Sequence, residues 1–270
     1  MSSRFRSAIG ALACGAAIFA VQHAHAGERV VRFCVDPDNL PYSDASGAGF
    51  EVQIARIVAA DLHARAEFVW LLPRRGMVRK TLGAGVCDVI PGVPVGLERV
   101  LATHPYYRST YAFVTRHAGP ASFDDTRLAH ARIGVQLVGE DLAATPPGHA
   151  LTAHGVIDNV RGYAVYGDGP AARRMVEALA AGELDTAIIW GPQAGYFARH
   201  AGVALEVHAT TAPAWLHGIP FEYSIAMGVK RGNAELRDEI DGALARRRDE
   251  IRAVLAGYGV PLVERPGGRS

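Results

Sequence analysis

The sequence predicts a two-lobed α/β protein, and three observations carry that expectation. Strand-like and helix-like segments alternate from residue 30 to residue 89, the pattern of a parallel, doubly wound sheet. The alternation restarts near residue 132, which calls for a second lobe. Between the two stand runs of strand character at 110–115 and 223–229, one crossing out and one crossing back. Two lobes on a two-strand hinge leave a cleft between them at the strand ends.

The elements follow in order. Arg4 and Arg6, an uncharged apolar run over 8–21 and the small-x-small triplet Ala24-His25-Ala26 read as a cleavable export signal, cut after Ala26. Cys14 raises the alternative of a lipid-modified start, but Ala11-Leu12-Ala13 is a poor approach to such a site. No later segment reaches eighteen apolar residues, so no membrane anchor is expected. Residues 30–35 form the first strand, stopped by Asp36-Pro37-Asp38-Asn39-Leu40-Pro41. Residues 50–62 place Phe50, Ile54, Ile57, Val58 and Leu62 on one helix face. A strand at 66–71, a helix at 75–83 and a strand at 86–89 complete the first unit. In the second unit, 132–136 and 186–190 are strands and 170–181 and 192–200 helices. A long amphipathic helix over 234–255, capped by Asn233, returns to the first lobe. The expected division is 1–26 signal, 27–110 with 230–270 as lobe 1, and 111–229 as lobe 2 with the hinge strands.

Cleavage removes two arginines and no acid, leaving 26 basic against 27 acidic residues, a net charge of −1. Nothing in that balance suits nucleic acid. Cys34 and Cys87 remain in an oxidising compartment, on strands expected to be neighbours, so a bridge is expected over two buried thiols. The hydrolase, zinc-protease, P-loop and Cys-x-x-Cys signatures are absent and the histidines are scattered, so no catalytic or metal centre and no cofactor is expected.

Gly49-Phe50-Glu51-Val52-Gln53-Ile54-Ala55, Leu82-x-x-Gly85-x-x-Asp88, Glu98-Arg99 running to Pro105-Tyr106-Tyr107, and Ala180-x-Gly182-x-x-Asp185-Thr186-Ala187 stand in order along the chain. They resemble the family 3 extracellular solute-binding proteins of amino-acid ABC importers. The resemblance implies a periplasmic binding protein of type II. Longer runs, from Cys34 to Ser43, Arg74-Arg75-Gly76, Gly85 to Val89, Pro105 to Tyr111 and Trp190 to Ala198, are similar to the quinoprotein-dehydrogenase-associated, J-type group encoded beside PQQ-dependent methanol and alcohol dehydrogenases. That resemblance implies a non-catalytic accessory of such a dehydrogenase, acting by protein contact, ligand capture or both. The alternative within the same class is an importer receptor for a polar or anionic solute such as an amino acid.

The importers hold an α-carboxylate with a guanidinium, and Arg99 occupies that place. Pro94 and Gly96 replace the hydroxyl residues that precede it, and Trp190 replaces the ammonium-binding Asp. Arg74 or Arg75 falls near the importers' aromatic platform, while Tyr42, Tyr107 and Trp190 supply flat faces. With Asp36, Asn39 and Glu140 these make the expected ligand-binding set, suited to a planar anion, with Arg99 and Trp190 facing each other across the cleft. Read singly, Trp190 is core, Arg75 a helix N-terminal surface residue and Arg99 a partner of Glu98 or another acid. The remaining alternative is a cleft dehydratase using Glu140 and Asp141, which turn solvation explains more simply.

Overall fold

Val31 and Phe33 of the first strand point into the same core as Phe50, Ile54 and Val58 of the first helix, all nearly inaccessible to water. A two-residue period on the strand and a three-to-four-residue period on the helix make those faces meet. The computed structural model describes residues 28–72, 76–139, 141–165 and 169–264. The expected signal segment, Arg74, Arg75 and Glu140 lie outside the described residues.

The first part runs Val30–Val35 (β1), Asp38–Asn39 (β2), Ser43–Asp44 (β3), Phe50–Asp61 (α1), Arg65–Trp70 (β4), Met77–Lys80 (α2), Val89–Pro94 (β5) and Leu101–Ala102 (β6). The chain then crosses on Tyr107–Thr115 (β7). Beyond it lie Ile133–Val138 (β8), Ala143–Ala144 (β9), Pro146–Ala153 (α3), Val160–Ala164 (β10), Ala171–Ala180 (α4), Thr186–Trp190 (β11), Gly191–Arg199 (α5) and Glu206–Ala209 (β12). It returns on Glu222–Val229 (β13) and ends in Ala234–Arg246 (α6) and Arg248–Gly257 (α7).

The main sheet has the order β10-β8-β11-β7-β13-β5-β1-β4. Its two wings are parallel, β1 with β4 and β5, and β8 with β10 and β11. Only the crossing strands introduce antiparallel neighbours into that path. Residues Tyr107 to Thr110 of β7 pair with β13, and Tyr111 to Thr115 pair with β11. In turn β13 pairs from Ile225 onward with β5. The strands at 110–115 and 223–229 thus join two sheet halves, with β7 starting three residues earlier than expected.

Apolar side chains segregate accordingly. Around β1 and β13 they come from α1, α6 and α7, with Phe50 and Ile240 at the centre. Beyond the crossing, Met175, Leu179 and Ile189 pack on one face and Phe113, Leu151 and Ile188 on the other. Phe50 and Phe113 have no accessible surface, and truncating either to alanine costs about 3–5 kcal/mol.

Cys34 and Cys87 are joined, Cα to Cα 5.6 Å, because Phe33 pairs with Val89 and sets the two cysteines side by side. Several boundaries depart from expectation. The strand expected at 86–89 begins at Val89, since Asp88 turns to bind the Arg32 guanidinium at 2.8 Å. The helix expected at 75–83 is a single turn. The long terminal helix breaks at Arg247, whose φ of −100° and ψ of 16° leave the helical region.

Candidate functional site

The site is built on the turn that follows β1 and on the start of α1. Gly49, with φ 108°, precedes the helix, and a Cβ there would lie 2.2 Å from the Tyr42 carbonyl oxygen. Only glycine lets the two segments approach so closely. Tyr42 is thereby fixed beside Phe50, ring centroids 5.2 Å apart, and Phe50 meets Tyr107 edge-on at 5.9 Å. Tyr106 packs on Tyr107 at 5.0 Å and donates its hydroxyl proton to the Pro91 carbonyl at 3.1 Å. Burial raises the hydroxyl pKa values of Tyr42, Tyr106 and Tyr107 well above the ordinary phenol value, with Glu51 adding to each.

From the other half comes Trp190. Its ring meets Tyr111 at 5.4 Å and Tyr223 at 5.6 Å. Its backbone N–H donates to Gln136 Oε1 at 2.9 Å, and Gln136 Nε2 donates to Gln193 Oε1 at 2.8 Å. Trp190 therefore packs against the apolar clusters of both halves. Tyr42 packs against the first of these clusters as well.

The residue that sequence reading missed is Glu51. It stands in the first turn of α1, and its carboxyl reaches the backbone of Gly92 on β5, where a Cβ would fall 1.9 Å from Oε1. Among the described residues that carboxyl has no cation beside it and no hydrogen-bond partner. Burial, and secondarily the Asp36 carboxylate, push it up to about 8. Asp36 is also raised, first by burial, although its Oδ1 accepts the Asp38 N–H at 2.9 Å. Near neutral pH Glu51 is mostly protonated and able to donate.

The structure brings Asp36, Tyr42, Tyr107 and Trp190 together. Asn39 lies in the same turn, its carbonyl accepting the Tyr42 N–H at 2.8 Å. Arg99 corrects the expectation. It is exposed and lines an outer concavity with Arg79, Lys80, Lys230 and Arg231. Lys230 and Arg231 follow Val229, which pairs with the start of β5, whereas the cleft lies past the other end, where Ile225 pairs with Pro94. After Pro94 the chain doubles back, so that Leu101 also pairs with Val229, and this return carries Arg99 away from the cleft. The described residues around Tyr42 thus offer carboxyls, phenols and aromatic faces, and Arg99 is not among them.

The two halves are also latched beside the cleft. Arg199 of α5 donates to the Ala256 and Gly257 carbonyls at the end of α7, both at 3.1 Å. Tyr196 stacks on Tyr258 at 5.8 Å, and a Cβ on Gly195 would lie 1.8 Å from the Gly259 oxygen.

Two α/β halves on a pair of crossing strands define a periplasmic binding protein of type II. The chain belongs to the bacterial extracellular solute-binding proteins, family 3, which match it over residues 31–257. These are binding proteins. It is 30% identical to Protein MoxJ of Paracoccus denitrificans over 277 aligned positions, covering 96% of this chain and 98% of that protein. Protein MoxJ of Methylorubrum extorquens is 31% identical, with 86% and 81% covered. Among solved structures, the periplasmic binding protein XoxJ from Methylobacterium extorquens AM1 is similar at 34% identity with a TM-score of 0.72, covering 87% of this chain and 100% of that one. MxaJ from Methlophaga aminisulfidivorans MPT gives 26% and 0.71, covering 86% and 100%. An ancestral cationic amino acid solute binding protein, 18% identical with a TM-score of 0.65, shares the fold. Among the described residues no helix is long and apolar enough to cross a membrane.

Proposed function

We propose that this protein is a periplasmic accessory of a PQQ-dependent alcohol or methanol dehydrogenase, exported by a signal segment cleaved after Ala26, and that it acts by contact with the enzyme rather than by feeding an importer. The observation that supports this best is the end-to-end similarity to MoxJ, 98% of the Paracoccus protein at 30% identity. The cleft chemistry agrees with it. An importer's zwitterion clamp needs a guanidinium and an acid on opposite walls, and here Trp190 stands in the acid's place while Arg99 lies outside the cleft.

In this reading residues 27–110 with 230–270 form one lobe and 111–229 the other. The cleft, walled by Asp36, Tyr42, Glu51, Tyr107 and Trp190, takes a small polar or cationic guest. A protonated Glu51 donates to it and Asp36 accepts from it. An anion is disfavoured beside two carboxyls that burial already holds above their ordinary pKa.

The test is co-purification of the tagged mature protein with the quinoprotein dehydrogenase of its own organism, followed by dehydrogenase assays with and without it. Association together with a rise in dehydrogenase activity supports the proposal. A chain that does not associate and leaves activity unchanged, or whose genomic neighbours are a permease and an ATPase alone, overturns it in favour of an importer receptor.

A further inference from the structure

Several arginines among the described residues are paired with acids. Arg32, Arg127, Arg132 and Arg246 each hold a carboxylate at 2.6–2.8 Å. One patch breaks the habit. Arg79 and Lys80 from the turn of α2, Arg99 from the loop after β5, and Lys230 and Arg231 beyond β13 surround a concavity of about 750 Å³, and among the described residues no acid lines it. Among the described residues none of these five takes part in an ion pair. The whole chain carries a net charge of only +1, so the five charges are a local concentration and not a general excess.

The patch is mounted on a stiff base. Leu82, which also lines the concavity, is buried against Cys34, Cys87, Ile90, Val93 and Val100, with Met77 and Val78 beside them. The Cys34–Cys87 bridge ties the segment after α2 to β1 inside this cluster. Within α2, Thr81 returns its hydroxyl to the Met77 carbonyl at 2.8 Å. Like charges lining one concavity repel one another, most strongly at low salt. A fold that spends a disulfide-anchored cluster on holding them there calls for an anion on the outside.

We infer that this concavity docks an acidic segment of a partner protein, one that presents several carboxylates together. All five cations are exposed, so any single small anion would meet water-screened charges and bind weakly. A segment with several carboxylates adds those weak contacts and is steered in by the field. The patch lies one strand length from the cleft, about 20 Å along the six residues of β5, so both are free to be occupied at once. The inference does not depend on the function proposed above.

A fluorescein-labelled octaglutamate peptide tests it by anisotropy at 20 and 150 mM NaCl. Wild-type protein should bind at the lower salt and weaken by about tenfold or more at the higher. The variant R79Q/K80Q/R99Q/K230Q/R231Q should bind at least tenfold more weakly than wild type at 20 mM. Its melting temperature should be nearly unchanged, because every altered side chain is exposed. R116Q/R161Q/R173Q, on the other half, should bind as wild type does. Equal binding by both variants, or no binding by wild type at 20 mM, overturns the inference. So does displacement of the peptide by inorganic phosphate at equal charge concentration, which would make this a small-anion site. Patch-dependent binding to phosphatidylglycerol vesicles without octaglutamate binding overturns it in favour of a membrane surface.

Discussion

Replacing Glu51 by glutamine should flatten the pH dependence of stability. The Glu51 carboxyl is held at about 8, against an ordinary 4.5 in the unfolded chain. Below pH 4.5 both states carry the proton and the residue contributes no slope. Between 4.5 and 8 the folded state keeps a proton that the unfolded state has lost, so stability falls as pH rises, by about 1.4 kcal/mol per unit. Over the full window the loss amounts to at most about 5 kcal/mol, and above pH 8 the curve flattens again. Glutamine keeps the shape and the hydrogen-bonding capacity and cannot ionise. Urea unfolding at pH 5, 6.5 and 8 should show the two proteins nearly equal at pH 5 and the variant several kcal/mol more stable at pH 8. Groups common to both proteins and distant from the site cancel in the difference. Parallel curves for wild type and variant would refute the reasoning, because they would mean that Glu51 ionises in the folded protein as it does in water.

The other predictions concern closure and anchoring. Gly195→Ala would put a methyl 1.8 Å from the Gly259 oxygen, so the latch must part, and small-angle scattering should record a larger radius of gyration than wild type. Unfolded, non-reduced protein should titrate close to zero thiols outside the signal segment. Replacing Cys34 and Cys87 by serine, which frees a loop spanning 53 residues of sequence separation, should lower stability by about 4 kcal/mol.

Much of the frame was legible because hydrophobic period and turn residues agree in it. The strand–helix alternation, both crossing strands and the neighbouring cysteines were expected and are present. Two of the misses depend on a partner far along the chain. Glu51 reads in sequence as an acid favourably placed at a helix N-terminus, and only Gly92 and the tyrosines show it to be enclosed. Arg99 follows the family's order of residues, yet the return of the chain to pair Leu101 with Val229 takes it off the cleft wall. Strands β10 and β12 escaped notice because Arg161-Gly162 interrupts one and every residue of the other is exposed, so neither alternates. Nothing local marks the break at Arg247.

The order of strands has a consequence for how the protein is made. The second half is one continuous stretch between the crossings, whereas the first needs both ends of the chain, since α1 packs on α6 and α7 and β13 seats between β5 and β7. Ser109 then receives the last piece, donating its hydroxyl to Pro261 at 2.7 Å, while the Val263 N–H reaches the Arg108 carbonyl at 2.9 Å. As the chain emerges from its N-terminus, β1, α1 and β4 are ready first and finished last. They must wait, half covered, until nearly the whole polypeptide is out. Long-range closure of this kind is slow and leaves apolar surface open to association in the interval. The half that is synthesised in the middle is the one that can fold first.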